Sequence, residues 1–471
     1  MSENDHAVVI GGGITGLSAA FYLQKEAEKK NLPLMISLVE AGEKLGGKIQ
    51  TISHNGFLIE KGPDSFLKRK TSAVDLIKEV GLEKELVTNE TGQAYILKGS
   101  ELYPIPEGAM MGIPTKMKPF VHSRLLSVKG KARAACDLVI PRAEVNGDQS
   151  VGSFFRRRLG NELVDSFIEP LLSGIYASDI DELSLTATFP HFQQLEKKHR
   201  SLILAMQHSR PSKQAGKDKG QFFTLKRGLF SLVEALEEQL LKTQQILVNT
   251  AAASIQKEGK QYNVHLENGK KLRADAVVMA SPHHVSGNLL NQYDFMRNIK
   301  KMKAATVANV ALGFSESDVT LDQDGTGFIV ASKGEYNITA CTWTHKKWPH
   351  TTPEGKVLMR CFVGRPGEEE IVQQSDKKIV EAVLKDLKKV IPIRKSPAFY
   401  YVTRWNEAMP QYSVGHQNMV ADVKEKLKEE MPGVVLAGSS YNGIGIGDCS
   451  AQGKQAAEYV LEHLKQKKLF H

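Results

Sequence analysis

Cysteine is scarce in this chain. Cys136, Cys341, Cys361 and Cys449 are its four cysteines in 471 residues, and no two form a C-x-x-C pair. That spacing argues against a disulfide framework and a zinc site, and it favours a reducing compartment. No metal is expected. No apolar run reaches the roughly 18 residues that a membrane-spanning helix requires. Glu3 and Asp5 stand where a secretory signal carries Lys or Arg, so the expected location is the cytoplasm. Neither sign of charge dominates: 62 Lys and Arg against 53 Asp and Glu leave a formal +9, which favours anionic partners such as phosphates or carboxylates. The basic residues are scattered, without a finger, basic zipper or RNA-recognition signature, so nucleic acid is not an expected partner. No internal repeat is present, and the length implies two or three domains.

Glycine, by contrast, is clustered where it can do chemistry. In AVVIGGGITGLSAA, Gly11, Gly13 and Gly16 have the spacing G-x-G-x-x-G, with Gly12, Ile14 and Thr15 between them. Alone this spacing is weak, and a plain tight turn is the alternative. Its surroundings add weight. Ala7 to Ile10 read as a buried strand, ITGLSAAFYLQKEAEKK as a helix, and LPLMISLVE as a second strand ending at Glu40. Strand, glycine turn, helix and strand make a βαβ unit. In it, Gly11 permits the sharp turn, Gly13 lets a pyrophosphate approach, and Gly16 lets helix and strand pack closely. The helix N-terminus offers free N–H groups to phosphates, and Glu40, followed by Ala41, is placed to accept from ribose hydroxyls. The expected ligand is a dinucleotide.

Downstream segments carry a resemblance. EAGEKLGGKIQT resembles the E-x(5)-GG-[RK] extension of the flavin-containing amine oxidase superfamily, which implies FAD and a charge-neutralising role for Lys48. GFLIEKGPDSF is similar to the superfamily's approach to the flavin, with Gly62, Pro63, Asp64 and Ser65 at the turn. ILVNTAAASIQKEGKQYNVHLENGKKLRADAVVMASP reads as strands with an Asn268–Gly269 hairpin. By the resemblance it returns to the FAD domain, with a backbone group near Ala252 at the adenine, although the family usually has a larger β-branched residue there. GVVLAGSSYNGIGIGDCSAQGKQAAEYVLEHL reads as strand, glycine-rich loop and helix. It brings Ile444, Gly445 and Ile446 and a second helix N-terminus to the cofactor.

GPDSFLKRK, GIPTKMKPF, RRRLGNELVDSFIEPLLSGIYASDIDELSL, HRSLILAM, CTWTHKKWPH and VTRWNEAMPQY together resemble the oxygen-dependent protoporphyrinogen/coproporphyrinogen oxidase family, from end to end and most closely its soluble Gram-positive branch. The resemblance implies a porphyrinogen substrate, coproporphyrinogen III in that branch, oxidised by FAD with oxygen as acceptor and hydrogen peroxide as by-product. It also implies a place in haem synthesis ahead of a ferrochelatase. Such a substrate needs a roomy apolar cavity with cations at its rim, and the cofactor carries the hydride chemistry. No catalytic side chain is assigned. Lys70 and Arg69, which follow the GPDSF turn, are the substrate candidates, with KKHR at 197–200 and Lys346–Lys347 behind them. Trp405 aligns with a flavin-lining position. Phe362 stands where related enzymes can carry a tyrosine, so no phenol is available there.

The fold expected is α/β, with a discontinuous Rossmann-like FAD-binding domain (1–52, 222–282 and 400–471). A mixed-sheet substrate domain (53–80, 176–221 and 283–399) and a helical insertion (81–175) complete it. In the insertion, MMGIPTKMKPFVHSRLLSVKGKARAACDLVI interleaves apolar and basic residues. It reads as core-packing helices or as a surface making at most peripheral contact with an anionic membrane or a partner. Residues 209–221 read as a polar connection. Another oxidase or desaturase of the superfamily shares the FAD segments, and a non-catalytic nucleotide-binding protein would share the first of them.

Overall fold

The computed structural model describes residues 5–110, 113–114, 116–143, 147–208, 220–331 and 334–469. The expected connection at 209–221 lies almost wholly outside them. Short runs such as AVVI, MISLV and AVVM are apolar on both faces, so they are stable only in a sheet covered on both sides. They form a five-stranded sheet in the order Gln245–Leu247, Leu34–Val39, Asp5–Ile10, Ala276–Met279 and Val434–Leu436, parallel throughout. Helices Ile14–Lys29, Phe230–Leu241 and Ile446–Leu469 cover one face through Leu17, Leu232 and Val460. On the other face lie helix His416–Glu430 and an antiparallel sheet of Ala252–Glu258, Gln261–Leu266 and Lys271–Ala274. This is the doubly covered α/β unit that the glycine turn implied.

The second sheet has seven strands, in the order Phe399–Pro410, Ala304–Ser315, Lys356–Val363, Ile338–Trp343, Gly327–Val330, Tyr95–Lys98 and Glu101–Pro104. Neighbours are antiparallel except Gly327–Val330 with Tyr95–Lys98. Alternation sorts its side chains. Cys341, Cys361 and Val363 join a core shared with helix Asp376–Leu387, while Thr342, Arg360 and Phe362 border a cavity.

Helices between 117 and 208 form a third layer with its own core, including Phe154, Phe155, Phe167 and Phe192. Its extent differs from the helical insertion expected at 81–175. The hairpin Tyr95–Lys98/Glu101–Pro104 turns at Gly99, with φ +59°, and belongs to the seven-stranded sheet. Residues 185–208 pack with the helices. The stretch 400–410, expected with the cofactor domain, belongs to Phe399–Pro410, an edge strand of the seven-stranded sheet. In the apolar–basic segment, Phe120, Leu125, Leu126 and Ala134 are buried whereas Val121, Val128 and Val139 are exposed; residues 111, 112 and 115 of it lie outside the described set. Among the described residues no helix is long and apolar enough to cross a membrane.

Candidate active site

A cavity of about 820 Å³ opens between the two sheets, a size suited to small-molecule and cofactor binding. The five-stranded sheet supplies one wall. Gly11 follows its central strand with φ +109°, and a Cβ there would lie 2.8 Å from the Ala280 carbonyl oxygen. At Gly16 a Cβ would fall 1.9 Å from the Gly11 oxygen. These two positions close the turn against helix and strand. Gly13 is different, because nothing lies within 4 Å of its missing Cβ. It begins helix Ile14–Lys29 without a side-chain cap and without an acidic residue in the first turn, so the helix N-terminus, which lacks intrahelical acceptors for its first N–H groups, lies on the cavity wall.

Glu40 follows the neighbouring strand. Its Oε2 accepts from the Gly12 amide at 2.6 Å and its Oε1 from the Gly42 amide at 2.7 Å. Each oxygen keeps capacity for a hydroxyl donor. Gly12 does not line the cavity and meets it through Glu40; Ile14, Thr15, Ala41 and Ala252 lie on the same wall. The second glycine-rich loop brings Ile444, Gly445 and Ile446, where the C-terminal helix begins, to that wall too. Lys48 donates to the Ala408 carbonyl at 2.6 Å and to Ser439 Oγ at 3.4 Å, and burial pushes its ammonium pKa down. A half-buried ammonium held by neutral oxygens suits an anion beside it. The open glycine, two helix N-termini, a carboxylate with spare acceptor capacity and a half-buried cation therefore fit an adenine dinucleotide.

Gly62, Pro63, Asp64 and Ser65 form the next section of wall, and Trp405 stands beside them with its indole N–H donating to the Lys61 carbonyl at 3.0 Å. Asp64 is held by Lys347 Nζ at 3.0 Å, Arg360 Nη1 at 3.3 Å, Trp348 Nε1 at 3.3 Å and Ser65 Oγ at 2.7 Å. Burial alone would raise its pKa; Lys347 and Arg360 override this and hold the carboxyl well below the usual range. Arg360 is buried, and its Nε has no partner among the described residues.

The substrate candidates fall elsewhere. Lys70 pairs with Asp448 at 2.5 Å and does not line the cavity. Arg69 is exposed, near Tyr176 and His191. Lys346 donates to the carbonyls of Leu321 and Gln323, Lys347 is committed to Asp64, and 197–200 is outside the wall. Sequence reasoning assigned no role to the helix Glu169–Tyr176, which supplies Glu169, Ser173, Gly174 and Ile175, or to Ala177 and Asp179 beyond it. Ala177 has φ +47°, a left-handed conformation rare for alanine, and Gln411 Nε2 donates to its carbonyl at 3.1 Å. The distinctive string EPLLSGIYASD was the available signal. A π-helical turn at Val164–Ile168 leads into it, a feature that recurs beside functional sites.

Comparison with known proteins gives these walls a context. A family model described as flavin containing amine oxidoreductase matches residues 14–461. The chain is 51% identical over 463 residues to the coproporphyrinogen III oxidase of Bacillus subtilis (strain 168), covering 98% of each chain. To the protein of that name from Staphylococcus aureus (strain NCTC 8325 / PS 47) it is 43% identical, covering 97% of this chain and 99% of that one. A crystal structure from Exiguobacterium sp. 255-15 superposes with a TM-score of 0.88 at 39% identity, covering 99% of this chain and 100% of that one.

Proposed function

The chain belongs to the flavin containing amine oxidoreductase family, and from that premise we propose that this oxidoreductase converts coproporphyrinogen III to coproporphyrin III. Its cofactor is FAD. The near full-length likeness to coproporphyrinogen III oxidases carries the reading, and the cavity gives it room. A porphyrinogen is a flexible apolar macrocycle with carboxylates at its edge. The wall of Val307, Ile175, Phe362 and Trp405 offers apolar contact for such a ring. The bound flavin supplies the hydride acceptor. The chain's residues hold the cofactor at the glycine turn, Glu40 and Lys48, and surround the substrate so that the saturated bridging carbons of the ring face it. Loaded with FAD and supplied with oxygen, the chain would release three hydrogen peroxides for the six electrons that separate porphyrinogen from porphyrin. The divided five-stranded unit in this reading holds FAD, and the seven-stranded sheet and the helix Glu169–Tyr176 enclose the substrate. In this reading the chain works in the cytoplasm with at most peripheral membrane contact, and passes an iron-free porphyrin to a ferrochelatase. Protoporphyrinogen IX is the second candidate substrate, and the same assay tests it.

Supplying the FAD-loaded protein with coproporphyrinogen III should give porphyrin fluorescence and peroxide well above autoxidation. No rise, together with turnover of an amine, would assign the chain to another activity of its family.

A further inference from the structure

The cations on the cavity wall are Lys48, Lys61, Arg360 and Arg365. Two of them have side-chain partners among the described residues. Lys48 is held by Ala408 and Ser439, and Lys61 directly precedes the Gly62–Ser65 turn. Arg360 faces Asp64. Arg365 stands apart, on the wall that the seven-stranded sheet contributes. It follows the strand Lys356–Val363 in a loop set by Gly364 at φ +97° and Gly367 at φ +82°. A Cβ on Gly364 would lie 2.6 Å from the Thr306 carbonyl oxygen, and Pro366 stiffens the next position. The backbone therefore fixes where this guanidinium starts.

Its donors are largely unused. Nη1 is buried with no hydrogen-bond partner among the described residues. Nη2 reaches only the Ile338 carbonyl, at 3.5 Å, the outer limit of a hydrogen bond. Glu368, the carboxylate of the same loop, is exposed and makes no ion pair with it. A half-buried arginine with a buried donor left idle, on a wall that it shares with Phe362, Thr339 and Thr342, is costly unless a ligand completes it, and the planar guanidinium matches a carboxylate in a two-pronged bond.

We propose that Arg365 is the specificity-determining residue that takes a carboxylate of the substrate, fixing how the macrocycle lies over the cofactor. This rests on the porphyrinogen reading above and adds the anchor that reading leaves unnamed. The substrate's edge then points toward the loop 364–368 while its apolar face lies on Phe362. Lysine cannot substitute fully, since a point ammonium lacks the paired geometry.

The test uses FAD-loaded wild type, Arg365→Ala, Arg365→Gln and Arg365→Lys with two substrates, coproporphyrinogen III and its uncharged tetramethyl ester. For the acid, Arg365→Ala and Arg365→Gln should raise KM by about tenfold or more, the loss expected for a charged hydrogen bond, with kcat little changed. Arg365→Lys should recover part of the loss. For the ester, wild type and variants should agree. Equilibrium binding of coproporphyrin III, read by fluorescence quenching, should weaken in step with KM while flavin content stays constant. An unchanged KM for the acid, or equal losses on acid and ester, overturns the assignment. A variant that loses its flavin does the same, because the residue would then serve the fold. If wild type itself neither binds nor oxidises coproporphyrinogen III, it is the porphyrinogen reading that fails.

Discussion

Two buried groups of charges hold different parts of this chain, and they are completed to different degrees. In the helical layer Arg158 and Asp137 are both fully buried. Arg158 donates to Asp137 through Nε at 2.6 Å and to the carbonyls of Ile140, Pro141 and Asp137. Asp137 Oδ2 accepts from Ser201 Oγ and the Ile203 amide, and Glu196 chelates Arg157. Among the described residues no buried side-chain donor or acceptor of this group is left without a partner. On the cavity wall Asp64 gathers Lys347, Arg360, Trp348 and Ser65, yet among the described residues Arg360 Nε is idle, as is Arg365 Nη1 beyond it. Buried polar atoms are normally paired, so idle ones need a reason. A closed network gives stability; an open one beside a cavity has places left for a ligand.

The comparison breaks most visibly if the closed network is opened. Arg158→Ala leaves Asp137 buried without its cation, which should cost about 3–5 kcal/mol. Denaturant unfolding followed by circular dichroism measures the loss, and the folded fraction should retain wild-type FAD affinity and KM. A selective fall in FAD affinity would mean that the helical layer takes part in the site. Asp64→Asn attacks the open network instead. It removes the charge between Lys347 and Arg360 but keeps the shape, so stability should fall by about 1–3 kcal/mol. Here FAD affinity, titrated by flavin fluorescence into the apoprotein, should fall as well. Loss of stability alone would make the two networks equivalent.

Glu60 sharpens the contrast through pH. It is buried next to the open network, with Oε1 accepting from the Leu229 amide and Oε2 from Thr51 Oγ1. Burial raises its pKa from 4.5 to about 7, against the lowering effect of those bonds and of Arg360. Between those two values the folded chain binds more protons than the unfolded one, so this group makes stability decline as pH rises through the window. Glu60→Gln removes the titration. The variant should match wild type near pH 4.5 and exceed it by about 1–3 kcal/mol above pH 7. Parallel stability curves would show that Glu60 ionises normally in the folded protein.

The cofactor wall was legible because its rules are local. Gly11, Gly13 and Gly16 fall within one turn, and Glu40 ends the next strand of the same βαβ unit, so spacing alone brings them to one edge. The wall of the seven-stranded sheet has no such grammar. Lys347 meets Asp64 across 283 residues, and nothing near either residue announces the other. Lys347 therefore read as a free cation when it is a committed one. Arg365 was passed over in MRCFVGR although its glycine neighbours set a turn. The hairpin at Gly99 falls in a segment, 81–175, that reads as mostly helical. Only strand pairing with Gly327–Val330 reveals its sheet.

Lys70 carries the smallest expected effect and the clearest disagreement between the two ways of reading the chain. Its position after the GPDSF turn suggested a substrate anchor, whereas its ammonium lies on Asp448 in the first turn of the C-terminal helix, with 45% of the lysine side chain exposed. An exposed pair of this kind contributes about 0–1 kcal/mol. Asp448 also keeps a favourable place at the helix N-terminus when the lysine is removed. Lys70→Ala should therefore leave the KM for coproporphyrinogen III within about twofold of wild type, a difference that corresponds to less than about 0.5 kcal/mol. If KM rises as far as it does for Arg365→Ala, the Lys70–Asp448 pair must open when substrate binds. The rim of the site would then extend past the second helix N-terminus, and the open network would include a cation that looks satisfied only while the cavity waits for its ligand.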